Sequence, residues 1–149
     1  MDWTDFQLMY WFFRRGDIVL YIGSPDILKF TLINSKEVYY ISPEKVGIKS
    51  PKLKNLNYNV DNVPKEMLPK KVDKIINFLP MNIVTSFKIM GNFIDLLDNE
   101  KQILVKLEIP KKQSQYSEML VNELLPEFKL SSIANITIEG NKYIVCKKI

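Results

Sequence analysis

Histidine is absent from the 149 residues. That removes Ser-His-Asp and Cys-His nucleophilic machinery, zinc sites of the His/Cys kind and the usual neutral-pH general base. Cys146 is the one cysteine, so the chain has no internal disulfide and no thiolate cluster. Any catalysis must rest on carboxylates, lysines, a tyrosine or an oxygen-ligated metal. The five glycines, Gly16, Gly23, Gly47, Gly91 and Gly140, are scattered, and none forms a phosphate-cradling fingerprint. Arginine is limited to Arg14 and Arg15, which leaves few donors for bidentate phosphate or guanine contacts. No apolar run approaches the roughly 18–20 residues that span a bilayer, and Asp2 and Asp5 stand where a signal peptide carries positive charge. These absences point to a cytoplasmic protein with no membrane partner and no cofactor.

What is present is a globular composition, 46% hydrophobic and 26% charged, with a formal charge of +4. It is rich in Ile, Lys and Asn, with Ala134 the only alanine. Such a chain buries a real core. The patterning reads as an α+β protein: an N-terminal aromatic helix, a small antiparallel β-meander, then a β-β-α-β-β lobe sharing a common core. The division falls at residues 1–62 and 63–149, as two lobes or one domain.

Residues 2–15 predict the opening helix, with Asp2 as its cap, Asp5 at the capping-box position and Gly16 as its stop. DIVLYIG, ILKFTLIN and KEVYYIS predict three short strands between Asp17 and Ile48. Pro69 opens a second helix carrying the stripe Val72, Ile75, Ile76 and Leu79. The central unit is a hairpin turning at Asp98–Lys101, with Ile94, Leu96, Ile103, Val105, Leu107 and Ile109 on one face and Asp95, Lys106 and Glu108 on the other. Leu104 is the apolar exception. An amphipathic helix from Ser114 to Leu125 follows, and a closing hairpin turns at Gly140-Asn141.

Two surfaces suggest partners. Phe6, Met9, Trp11, Phe12 and Phe13 form an aromatic set suited to anchoring a protein partner or a homo-oligomer. Within it, Phe6, Met9, Phe12 and Phe13 resemble the short box by which replication and repair proteins plug into a sliding clamp, with Gln7 one residue out of register. Residues 45–74 hold eight lysines against three acidic residues. Lys49, Lys52, Lys54, Lys70, Lys71 and Lys74 are its candidates for tracking a phosphate backbone. Tyr21, Phe30, Tyr39 and Tyr40 can stack bases, although each also suits a core.

Asp95, Glu108 and Lys111, ahead of a helix, resemble the core of the PD-(D/E)xK nucleases. There an acidic residue and an acid-x-lysine element on adjacent strands hold the magnesium that activates water. Pro110 occupies the family's lysine position and Lys111 stands one place late. The leading expectation is therefore a non-enzymatic accessory or interaction protein beside nucleic-acid machinery. A PD-(D/E)xK-like nuclease and an oligomeric structural or viral protein are the alternatives.

Overall fold

In IVLYI, residues 18–22, every side chain is apolar or aromatic, and this run forms the centre of the sheet as β1 (Ile18–Ile22). A strand with no polar face must be covered on both sides, the signature of a parallel sheet. The computed structural model describes residues 2–110, 112 and 114–149. Among these residues seven strands form one sheet: β1, β2 (Glu37–Ile41), β3 (Leu53–Leu56), β4 (Lys74–Asn77), β5 (Gln102–Glu108), β6 (Leu130–Ile138) and β7 (Asn141–Lys148), in the order β3-β2-β1-β4-β5-β7-β6. β3, β2, β1, β4 and β5 pair in parallel, and β7 runs antiparallel between β5 and β6.

Among the described residues the α-helices are α1 (Trp3–Phe12), α2 (Leu28–Ile33), α3 (Ile83–Met90) and α4 (Ser114–Glu127). Successive residues of each central strand enter opposite cores. Leu20, Ile22, Ile75, Ile103 and Val105 meet α3 and α4 through Phe87, Met90, Val121 and Leu125. Val19, Tyr21, Ile76 and Leu104 meet α1 and α2 through Met9, Phe12, Leu28 and Leu32. No helix among the described residues is long and apolar enough to cross a membrane.

This is an α/β fold, and it corrects the α+β reading with its antiparallel meander. The strands at 18–22 and 37–41 exist, but ILKFTLIN between them is helical. Ser24 accepts a hydrogen bond from the Asp26 N–H and Pro25 sits in the first turn, so Gly23-Ser24-Pro25-Asp26 starts a helix instead of a hairpin. Residues 74–77 form β4, and the helix expected there is absent. Ile75 and Ile76 point into opposite cores, a doubly buried pattern that helical spacing mimics over a short run. The central hairpin is replaced by α3, a 3₁₀ turn at Ile94–Leu96 and β5, whose neighbours are β4 and β7. Leu104 is no exception, because it fills the second core.

The ends of the chain follow their patterns more closely. Asp2 caps α1 by accepting from the Thr4 and Asp5 N–H groups. Asp5 does not close a capping box; its carboxylate reaches Lys106 and Tyr143. The β6–β7 turn centres on Glu139 and Gly140, both with positive φ (50° and 82°), one residue ahead of the expected turn. That double left-handed conformation matches strand twist in a two-residue hairpin.

Candidate functional site

Strand order reverses at β1: one crossover leads outward to β2 and β3, while β4 and β5 lie on its other side. In open α/β sheets the crevice beyond the carboxyl ends of the strands at such a switch point is the natural ligand site. A cleft of about 510 Å³ opens there. Its floor is Gly23 after β1, with Ile41, Ser42 and Pro43 at the end of β2. Its walls come from Asn59, Val60 and Asp61 after β3, Leu79 and Met81 after β4, and Ile89 of α3.

The turn after β1 is built from two buried tyrosines. Tyr21 Oη donates to the Ser24 carbonyl at 2.7 Å and Tyr40 Oη donates to the Gly23 carbonyl at 2.8 Å. Their rings stack with centroids 5.5 Å apart. A Cβ on Gly23 would lie 2.7 Å from Tyr21 Oη and 3.2 Å from Phe78 Cβ, so a side chain there would force the buried Tyr21 ring to move. Burial raises the Tyr21 and Tyr40 hydroxyls above the usual phenol range, and both stay protonated donors. At the end of β4, Asn77 is fully buried. Its side-chain carbonyl accepts from the Leu79 N–H at 3.1 Å and its amide donates to Ser86 Oγ at 3.4 Å, which shapes the wall that Leu79 presents.

The cleft chemistry is specific in what it includes and leaves out. Apolar side chains flank a few polar groups, Ser42, Asn59 and Asp61, the general make-up of a small-molecule site. No lysine or arginine is among the lining residues, and Asp61 contributes a carboxylate. Sequence reasoning missed the site because its signal, one glycine after an apolar run, is far weaker than a repeated-glycine fingerprint.

The residues singled out from sequence lie elsewhere. Asp95 sits in the 3₁₀ turn before β5 and Glu108 at the far end of that strand, which is roughly 20 Å long at the rise of an extended chain. They do not share neighbouring strands, and Lys111 lies outside the described residues. Among the described residues no group of three or more His, Cys, Asp or Glu could hold a metal ion. The PD-(D/E)xK resemblance is therefore corrected.

The basic segment is dispersed by the fold. Lys74 is buried, paired with Asp17 at 2.8 Å. Lys52 donates to the Leu32 and Ser35 carbonyls, and Lys71 pairs with Asp98 at 3.1 Å. Lys49, Lys54 and Lys70 remain exposed. Tyr21 and Tyr40 are buried and cannot stack bases. On α1, Met9, Phe12 and Phe13 are buried in the chain's own core and Phe6 packs edge-on to Phe30, which removes the clamp-box surface. Trp11 is exposed, alongside Trp3 and Tyr10.

No family model and no curated sequence matches the chain. Solved structures do. A candidate S-adenosylmethionine-dependent methyltransferase from Listeria monocytogenes superposes with a TM-score of 0.73 at 11% identity, covering 99% of this chain and 96% of its own. A Streptococcus mutans candidate methyltransferase, solved with SAH, gives 0.68 at 7% identity over 98% and 95%. A Haloferax volcanii candidate methyltransferase, solved with the activator Trm112, gives 0.71 at 10% identity over 97% and 88%. The fold is that of the Rossmann-like S-adenosylmethionine-dependent methyltransferases. The expectation of a non-enzymatic accessory of nucleic-acid machinery is corrected by this likeness, because the structures that share the fold are those of methyltransferases.

Proposed function

We propose that this chain is an S-adenosylmethionine-dependent methyltransferase whose cofactor site is the cleft beyond β1, β2 and β4. The observation that carries this reading is the cleft itself, at the switch point of the sheet and lined by apolar residues, two neutral polar side chains and a carboxylate. The fold of the neighbours supports the same reading.

When bound, the cofactor supplies a methyl group on a positively charged sulfur. Ile41, Val60, Leu79, Met81 and Ile89 provide apolar surface for its base and exclude water. Ser42, at the end of β2 and roughly twenty residues past Gly23, stands where this class of fold receives a ribose hydroxyl. Asp61 favours positive charge in the cleft. With no histidine in the chain, the acceptor must be nucleophilic at neutral pH or be held by carboxylate and amide groups, so positioning carries the rate. A protein partner belongs to the same reading, supported by the Trm112 complex among the neighbours and by the outward Trp3, Tyr10 and Trp11.

The test is calorimetric titration with S-adenosylhomocysteine. Saturable one-to-one binding is expected, abolished by Leu79→Trp, which fills the cleft, with circular dichroism unchanged. No heat at millimolar ligand would overturn the reading. Transfer of a labelled methyl group to extract components would then identify the acceptor class.

A further inference from the structure

β3 and β6 end the sheet on its two sides, and the two edges are built differently. β3 is four residues long, carries Lys54 and follows Pro51 and Lys52. Shortness, lysine and proline are devices that stop an edge from pairing with another chain. β6 has nine residues, LSSIANITI, with no charge and no proline, and among the described residues no strand lies on its outer side. Its one interruption is the bulge between Ser132 and Ala134, which leaves residues 134–138 as a regular run.

The backbone directions of that run follow from the turn. Ile138 and Asn141 flank a two-residue turn and bond to each other, as do Ile136 with Tyr143 and Ala134 with Val145. Asn135 and Thr137 therefore turn their N–H and C=O groups outward. Side chains alternate as well. Ala134 and Ile138 pack against the core beneath α1, and Ile136 extends that face with 42% of its surface exposed. The exposed Trp11 and Ile133 line one depression beside it, so the apolar face continues onto α1. Asn135 and Thr137 are exposed on the opposite face.

We propose that β6 pairs with β6 of a second copy of this chain, antiparallel about a two-fold axis at Ile136, joining two sheets into one. In that register Asn135 exchanges backbone hydrogen bonds with Thr137 of the other copy, Ile136 meets its own counterpart and Ala134 meets Ile138. Apolar side chains then face apolar ones, and polar face polar. This self-complementarity selects a second copy as the occupant, because a strand without charge offers a protein of different sequence nothing to discriminate by. The formal charge of +4 opposes self-association in general, yet none of it lies on the strand that makes this contact. β7, β5 and β4 separate β6 from the switch point at β1, so both clefts stay open. The proposal is independent of the cofactor reading.

Sedimentation velocity of the full chain tests it. At about 100 μM the wild type should be largely dimeric, the strength expected of a modest interface. Ile136→Lys should be monomeric with circular dichroism unchanged, because two ammonium groups would meet on the axis. Ile136→Glu should be monomeric too, and mixing the two variants should restore a dimer. A monomeric wild type overturns the proposal and leaves the edge to a different protein. Survival of the dimer in Ile136→Lys also overturns it, since another surface then holds the copies together.

Cross-linking checks the register without adding charge. Residues that face each other between hydrogen-bonded pairs have Cα atoms about 4.5 Å apart, within the range a disulfide spans. Under a mild thiol oxidant Ile136→Cys should give a covalent dimer, while Asn135→Cys, offset from its counterpart by two residues, should not. Cys146 is buried and does not compete. Linkage through Asn135→Cys and not through Ile136→Cys overturns the proposal.

Discussion

Lys106 on β5 and Asp5 on α1 form an ion pair with Nζ and Oδ2 3.1 Å apart, both side chains about nine-tenths buried at 10% and 11% exposure. Tyr143 Oη donates to the other Asp5 oxygen at 2.6 Å, and Asp2 reaches Lys106 at 3.0 Å. A lysine that a strand pattern assigns to solvent is thus the anchor of the first helix. Burial pushes the Lys106 ammonium down, but the hydrogen bonds to Asp2 and Asp5 outweigh it and its pKa is raised, so it stays charged at neutral pH.

Lys106→Ala should destabilise the protein by about 3 kcal/mol, because it leaves the Asp5 carboxylate buried without its countercharge. Chemical denaturation checks this, and the double variant with Asp5→Asn should recover part of the loss. Equal stability of Lys106→Ala and the wild type would show that water replaces the ammonium.

Asp73 links the start of β4 to β1 and β5. Burial alone would raise its carboxyl, but the Ile18 N–H and the Lys101 ammonium outweigh that and hold it below its ordinary 3.8. A carboxyl depressed by folding stabilises the native state above its unfolded pKa, and that contribution is lost as pH falls through the folded value. The denaturation midpoint should therefore fall as pH drops from about 5 to about 2, and Asp73→Asn should flatten that fall while costing about 1 kcal/mol at neutral pH.

Cys146 is 1% exposed on β7, and burial pushes its thiol up to about 12. The native protein should resist a thiol-specific disulfide reagent at about pH 8 and react stoichiometrically once unfolded. Rapid reaction of the native chain would mean that β7 opens readily.

Gly91 ends α3 beside the residue that follows α4, and a Cβ there would stand 2.8 Å from Phe128 Cε1. Gly91→Ala should cost about 1–3 kcal/mol by displacing the ring that stacks on Phe87. A thermal melt compares it with Gly47→Ala, which meets nothing within 4 Å and should be near neutral.

The local signals that were legible are those carried by a few adjacent residues. Asp2 caps a helix whatever follows, because two backbone N–H groups lie within its reach. The amphipathic run from Ser114 forms α4, and a glycine-containing turn closes the last hairpin. IVLYI and EVYYI read as strands because β-branched and aromatic side chains suit a pleated surface. The absence of histidine narrows the chemistry from composition alone.

What local pattern could not carry is which strands lie side by side and whether their second face is covered. Ile75 and Ile76 fit a helix or a doubly buried strand equally well, and only the helices above and below the sheet decide between them. Lys74 and Lys106 look solvated until Asp17 and Asp5, far away in the chain, arrive as partners. The cleft belongs to the same class, since Gly23, Ser42, Asp61 and Leu79 follow four different strands. Caps, turns and excluded chemistries are written in the chain itself, because they depend on composition and on neighbours a few residues away. The parallel order, the buried ion pairs and the site come from folding, because each depends on contacts between segments that no local spacing records.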